Sequence, residues 1–131
     1  MTFTKKVLDL LNSLDWKLDE IPQHARFREK DWRQRTLTSQ EQNVQMHSKF
    51  SKSHPGSSQP GYFVVIMSIK DKENDSMKKH PILVKHKTTL RRFLQIIHDE
   101  AKKHKVGDHK FWEGVTSQTP DGSVIWINQG S

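Results

Sequence analysis

The run Tyr62 to Ile69, YFVVIMSI, constrains this chain more than any other stretch. It is rich in β-branched and aromatic residues and is bounded by Gly61 and a charged turn, which spells a strand. Tyr62, Val64 and Ile66 would face one side and Phe63, Val65, Met67 and Ile69 the other. Both sets are apolar, so the reading is a central strand covered on both faces. Most other apolar residues lie near the two ends of the chain, and a long polar stretch from Pro22 to Pro60 separates the first group from the strand.

Composition narrows the classes. The chain has 131 residues, 32% of them hydrophobic and 28% charged, with no cysteine and a formal net charge of +7. That apolar share is below the roughly 45–50% of ordinary globular domains, which implies that part of the chain is not packed. Without cysteine there is no disulfide scaffold, no thiolate zinc site and no thiol nucleophile. No run reaches the ~18 apolar residues of a membrane-spanning helix, and the first residues lack an apolar stretch ending in a small-residue cleavage site. The expectation is a non-membrane, intracellular protein, cytoplasmic or nuclear. The sequence leaves its oligomeric state open.

Around the strand, other elements follow from spacing. Phe3, Val7, Leu10, Leu11 and Leu14 draw one apolar stripe down an N-terminal helix, with Thr2 or Thr4 as its cap. Pro22 stops the turn or short strand that follows Trp16, Leu18 and Ile21. Residues 47–61, rich in Ser, Gly, Pro and Lys, read as a linker or a mobile loop. After the central strand, residues 70–81 read as a polar hairpin connection and Ile82 to His86 as the return strand. Leu90, Phe93, Leu94, Ile97 and Ala101 repeat at helical spacing behind a capping threonine, and Gly107 ends that helix. Phe111-Trp112 marks a short strand, Thr119-Pro120-Asp121-Gly122 a turn, and Val124 to Asn128 a last alternating strand. The predicted class is α+β: a mixed four-stranded sheet on one helix (ββαββ), preceded by an N-terminal helix and a long polar segment. Its divisions are residues 1–21, an amphipathic helix and turn packing on the core; 22–60, polar, basic and partly flexible; and 61–131, the α+β domain. The helix of the first division is the expected cover for the second face of the Tyr62 strand, the alternative being that this face is a binding surface.

Residues 61–128 resemble the ubiquitin-like β-grasp superfold, in which a first hairpin feeds a helix through a Thr-rich junction and two further strands follow. The resemblance is carried by Ile82-Leu83-Val84-Lys85-His86, by Thr88-Thr89-Leu90, by Phe93, Leu94 and Ile97, and by Phe111-Trp112-Glu113-Gly114. Gln129-Gly130-Ser131 is not a Gly-Gly conjugation tail, so the resemblance implies a ubiquitin-like binding domain rather than a modifier. Such a fold hosts many functions and names none.

Two basic groups are candidate binding sites. Arg26, Arg28, Lys30, Arg33 and Arg35 interleave with Phe27 and Trp32, the pairing of phosphate-binding cations with stacking rings that a nucleic-acid contact needs. Glu29 and Asp31 dilute the cluster, and a solvated helix with internal ion pairs is the plainer reading. Lys78, Lys79, Lys85, His86, Lys87, Arg91 and Arg92 would meet near the return strand and the helix start. By resemblance, a basic face of this sort in ubiquitin-like interaction domains receives an acidic protein partner, and phosphate is the alternative. Trp112 and Trp126 are assigned to the core.

Eight histidines are a high count. Glu100 and His104 stand one helical turn apart and would offer two metal ligands, with Asp108 or His109 arriving from the next loop. There is no HExxH spacing, and neither a metal nor a cofactor is expected. No GxSxG, P-loop or GxGxxG is present. A looser likeness is to small toxin RNases of double-stranded-RNA-binding fold, which begin with a helix, an aromatic-bearing strand and a His-containing hairpin, as Leu8 to Phe27 does. It implies His24 as a catalytic base, but the Gly-Ser-His run of that group is missing here. The expectation is therefore a non-enzymatic protein-interaction module with a basic surface. The runner-up is a nucleic-acid binder using residues 24–35 and 78–92.

Overall fold

The computed structural model describes residues 5–46, 61–74, 76–119 and 123–130. Val7, Leu10 and Leu11 form the buried side of helix α1 (Lys5–Asn12). Phe3 and the threonines expected to cap this helix lie outside the described residues. The chain continues through β1 (Leu14–Asp15), a 3-10 turn at Pro22–His24, β2 (Arg26–Arg28) and β3 (Gln34–Thr36). These strands form a sheet in the order β1-β2-β3, antiparallel throughout, with Leu14 opposite Phe27 and Phe27 opposite Arg35. Helix α2 (Ser39–Gln42) follows. Its capping box is complete: Thr38 Oγ1 accepts from the Glu41 N–H at 3.1 Å, and Glu41 Oε1 accepts from the Thr38 N–H at 2.8 Å.

Residues 22–46, expected to be a partly flexible segment, thus carry regular structure. Their anchors are the buried Ala25, Leu37 and Met46, too widely spaced to register as a pattern. The backbone adds two ties, from the Met46 N–H to the Thr88 carbonyl and from the Leu90 N–H to the Val44 carbonyl, both 2.8 Å. The helix expected around Arg26 to Arg35 is instead a hairpin. Residues 47–60 lie outside the described residues.

The second half is β4 (Tyr62–Lys70), β5 (Met77–Lys85), helix α3 (Leu90–His104), β6 (Phe111–Ser117) and β7 (Val124–Gly130). The sheet order is β5-β4-β7-β6. The outer pairs β4/β5 and β6/β7 are antiparallel, and the central pair β4/β7 is parallel. The class is α+β, with β4 central as expected. Strand β5 begins earlier than the sequence suggests, because Lys78, Lys79, His80 and Pro81 pair with Ile69, Ser68, Met67 and Ile66. Proline is tolerated there because β5 is the edge strand, with no neighbour on its outer side among the described residues. Thr89 caps α3 by accepting from the Arg92 N–H at 3.2 Å. Lys105, at φ 63°, ends the helix two residues before Gly107. Of the turn expected at 119–122, residues 120–122 lie outside the described residues.

One face of the sheet, with Phe63, Val65, Met67, Ile69, Ile82, Val84, Ile125 and Ile127 buried, receives Leu90, Phe93, Leu94, Ile97 and Ala101 of α3. Helix α1 does not cover the opposite face. It packs against β6 at the sheet's far edge, where the Trp112 indole donates to the Leu11 carbonyl at 2.7 Å. The Trp112 ring lies 6.0 Å from Trp16 and edge-on to Phe93 at 6.4 Å. A bulge between Trp112 and Val115 makes this docking possible, and the Val115 N–H donates to Asn12 Oδ1 at 3.0 Å. Within the bulge Gly114 has φ +94°, and a Cβ there would collide with the Asn12 side chain.

Gly114→Ala is expected to lose about 2–4 kcal/mol in urea unfolding, combining left-handed strain with overpacking. Adding Asn12→Gly should recover only part of it, since the backbone strain remains. Full recovery, or no loss in the single variant, would contradict this account of the bulge.

Candidate functional site

The face of the sheet turned away from α3 is the most distinctive surface. Directly paired residues share a face, so the register places Tyr62, Val64 and Ile66 of β4 beside Leu83 of β5 and Val124 and Trp126 of β7. Leu83 is 42% exposed and the others are half-buried. This overturns two expectations: the Tyr62 strand is fully covered on one face only, and Trp126 is a surface residue rather than a core one. Trp112, by contrast, is buried as expected. Exposed Lys79, Pro81 and Lys85 frame the patch along β5. The Lys79 ammonium sits 4.5 Å from the centre of the Trp126 ring and donates to Ser68 Oγ at 3.1 Å. Strands β4, β5 and β7 contain no Asp or Glu, so no carboxylate from them neutralises these lysines.

The arginine and aromatic group of residues 26–35 comes together on the β2–β3 hairpin, but its guanidinium groups are largely engaged within the protein. Arg35 donates to both oxygens of Glu41 at 2.7 Å and to Glu29 at 2.7 Å, with its guanidinium carbon 4.3 Å from the Phe27 ring centre. The hydrogen bonds from Arg35 hold the Glu41 carboxyl well below the usual range, at about 2. Arg33 pairs with Asp31 at 2.6 Å, Arg26 donates to the Gln23 and Ala25 carbonyls, and Arg28 lies 5.1 Å from the Trp32 ring centre. Trp32, at the turn with φ 69°, is 76% exposed, and Lys30 is exposed beside it.

Alternation splits the second basic group. Lys79 and Lys85 lie on the open face, while Lys78, opposite Ile69, lies on the α3 side. Arg91 and Arg92 are exposed in the first turn of α3, across the sheet from Lys79 and Lys85. They border a cleft of about 590 Å³ that also includes Pro22, Ala25, Leu37 and Leu94. Lys87, at φ 71°, is exposed in the turn between β5 and α3.

The histidines serve different ends. His24 is exposed, with Glu20 3.7 Å away as its one ionic neighbour among the described residues. Buried His98 has Nδ1 3.0 Å from the Leu18 carbonyl. His86 lies against Phe63, the ring centres 5.9 Å apart, and burial pushes its pKa below the usual value, partly offset by a hydrogen bond with the Tyr62 backbone. Glu100 and His104 do meet, at 3.2 Å, but the third member of their cluster is His80 of β5, not Asp108 or His109. His80 was missed because the sequence places it in a loop. Counting back by twos from Val84 and Ile82 puts it on the α3 side once β5 starts at Met77.

Comparison of the chain with protein-family models, with curated proteins and with solved structures finds no match in any of the three.

The depressed pKa of His86 makes stability depend on pH. As pH falls, the unfolded chain takes up this proton first, so stability is unaffected well above the reference value of about 6.5 and declines below it. Urea midpoints at pH 7.5, 6.5 and 5.5 should fall in that order, and His86→Phe should flatten the decline. An equally steep decline in that variant would remove His86 as its cause.

Proposed function

We propose that this protein is a non-enzymatic interaction module that docks an acidic, partly apolar segment of a protein partner on the open face of its sheet. The observation that carries the reading is the pairing of exposed Leu83 and half-buried Tyr62, Val64, Ile66, Val124 and Trp126 with a lysine rim that β4, β5 and β7 leave without carboxylates. Apolar side chains left at a surface and ringed by one sign of charge favour a ligand with the complementary pattern. The formal net charge of +7 works in the same direction at longer range.

A face rather than an edge is the docking surface. Edge strand β5 has Pro81 in its middle and three exposed lysines, Lys78, Lys79 and Lys85, which discourage addition of another strand. A first hairpin, a helix begun at Thr89 and two further strands also support reading residues 61–128 as a ubiquitin-like domain of the binding kind. The internal pairing of Arg33 and Arg35 weighs against a nucleic-acid surface on the β2–β3 hairpin, because a phosphate would have to displace Asp31, Glu29 and Glu41.

Peptides selected from a random display library on the immobilised protein test this directly. They should be enriched in Asp, Glu and apolar residues. Leu83→Asp should weaken them at least about tenfold while leaving the far-UV circular dichroism of the folded protein unchanged, since Leu83 is outside the buried core. Binders indifferent to Leu83→Asp would place the site elsewhere. Single-stranded DNA bound tightly, with steep salt dependence and loss in Lys79→Glu, would replace this reading with a nucleic-acid one.

A further inference from the structure

We propose that His80, Glu100 and His104 form a binding site for a divalent transition metal of the zinc type, clamping edge strand β5 to the last turns of α3. The three candidate ligand atoms all lie within 4.8 Å of one another. Glu100 Oε2 is 3.5 Å from His80 Nε2 and 3.2 Å from His104 Nε2. Tetrahedral bonds of about 2.0–2.1 Å put neighbouring ligand atoms roughly 3.3 Å apart, so two of the three separations already match a bound ion. The His80 and His104 ring centres are 4.3 Å apart, tilted by 48°, and the third separation lies within the same 4.8 Å limit.

Two of these atoms are also otherwise unsatisfied. Among the described residues, His80 Nε2 and Glu100 Oε2 are shielded from solvent and make no hydrogen bond. A buried nitrogen and a buried carboxylate oxygen without hydrogen bonds are costly, and one cation shared with His104 satisfies both. The arrangement is not an accident of helical spacing. Glu100 and His104 are an i, i+4 pair, but His80 comes from another element and is aimed at them by the β4–β5 register, opposite buried Met67.

The donor set selects the ion. Two imidazoles and one carboxylate, with no sulfur, suit Zn²⁺, Ni²⁺ or Cu²⁺ and not Mg²⁺ or Ca²⁺, which require mostly oxygen ligands. Three protein ligands leave a coordination position for water. Lys72 and Lys103 place positive charge near His104 and oppose any cation, so the ligands must outweigh them.

The test uses zinc chloride, with magnesium chloride as comparison, on the full chain at pH 7.5 by isothermal calorimetry and thermal melting. The expectation is one Zn²⁺ per chain with Kd on the order of 1 μM, no binding of Mg²⁺, and a Tm raised by on the order of 5–10 °C at a hundredfold excess over Kd. His80→Ala and His104→Ala should each weaken zinc at least about tenfold, whereas His24→Ala, exposed and outside the cluster, should not. Because His80 and His104 are part-exposed, both variants are expected to fold, which far-UV circular dichroism checks. Absence of saturable zinc binding by about 100 μM, equal binding of magnesium, or zinc affinity retained in folded His80→Ala and His104→Ala would each overturn the site.

Discussion

The joint at Trp112 holds the N-terminal structure to the main sheet. Its indole N–H satisfies the Leu11 carbonyl near the end of α1, its ring packs between Trp16 and Phe93, and its backbone N–H donates to the Trp16 carbonyl at 3.0 Å. Removing the indole donor alone would leave a helix-end carbonyl buried and unpaired, at a cost of about 1–3 kcal/mol. The same joint protects β6. The backbone of residues 16–18 runs alongside it, with the Leu18 N–H donating to the Lys110 carbonyl at 2.7 Å, so the outer edge of β6 is partly covered where that of β5 is defended by proline and lysine.

With α1 committed to β6, that helix leaves the residues of the second face half-buried rather than covered. The apolar residues of β4 therefore divide by parity into a core set, Phe63, Val65, Met67 and Ile69, and a surface set, Tyr62, Val64 and Ile66. The parallel pairing of β4 with β7 extends the surface set sideways to Val124 and Trp126, and the antiparallel pairing with β5 extends it to Leu83. A face that would be an aggregation liability on a neutral protein is kept discrete by the lysines around it.

The sequence showed clearly the elements whose spacing is uninterrupted. Strand β4 opens with the unbroken apolar run Tyr62 to Met67 and α3 has a cap and a clean stripe, so both were visible with nearly correct bounds. The β2–β3 hairpin was hidden because Arg26, Arg28, Gln34 and Thr36 give no apolar alternation, and its order comes from ion pairs between residues such as Arg35 and Glu41 that no periodicity reveals. The start of β5 was obscured by lysines and Pro81, which an edge strand can hold and an isolated window cannot justify. That error concealed His80, and with it the cluster around Glu100. The second basic group looked coherent in sequence, yet the strand period of two puts Lys79 and Lys85 on the face opposite Lys78, away from Arg91 and Arg92 of α3.

The lysine resting on Trp126 gives the surface an optical property. Indole emission depends on the charge near the ring, and here that charge belongs to Lys79, whose ammonium also has Ser68 as a hydrogen-bond acceptor. A carboxylate arriving on the face would compete for the same ammonium and draw it off the ring. Trp16 and Trp112 are shielded in the interior and Trp32 stands apart on the hairpin, so the resulting change in emission would arise at Trp126. The molecule thus carries its own chromophore at the surface where occupancy would register.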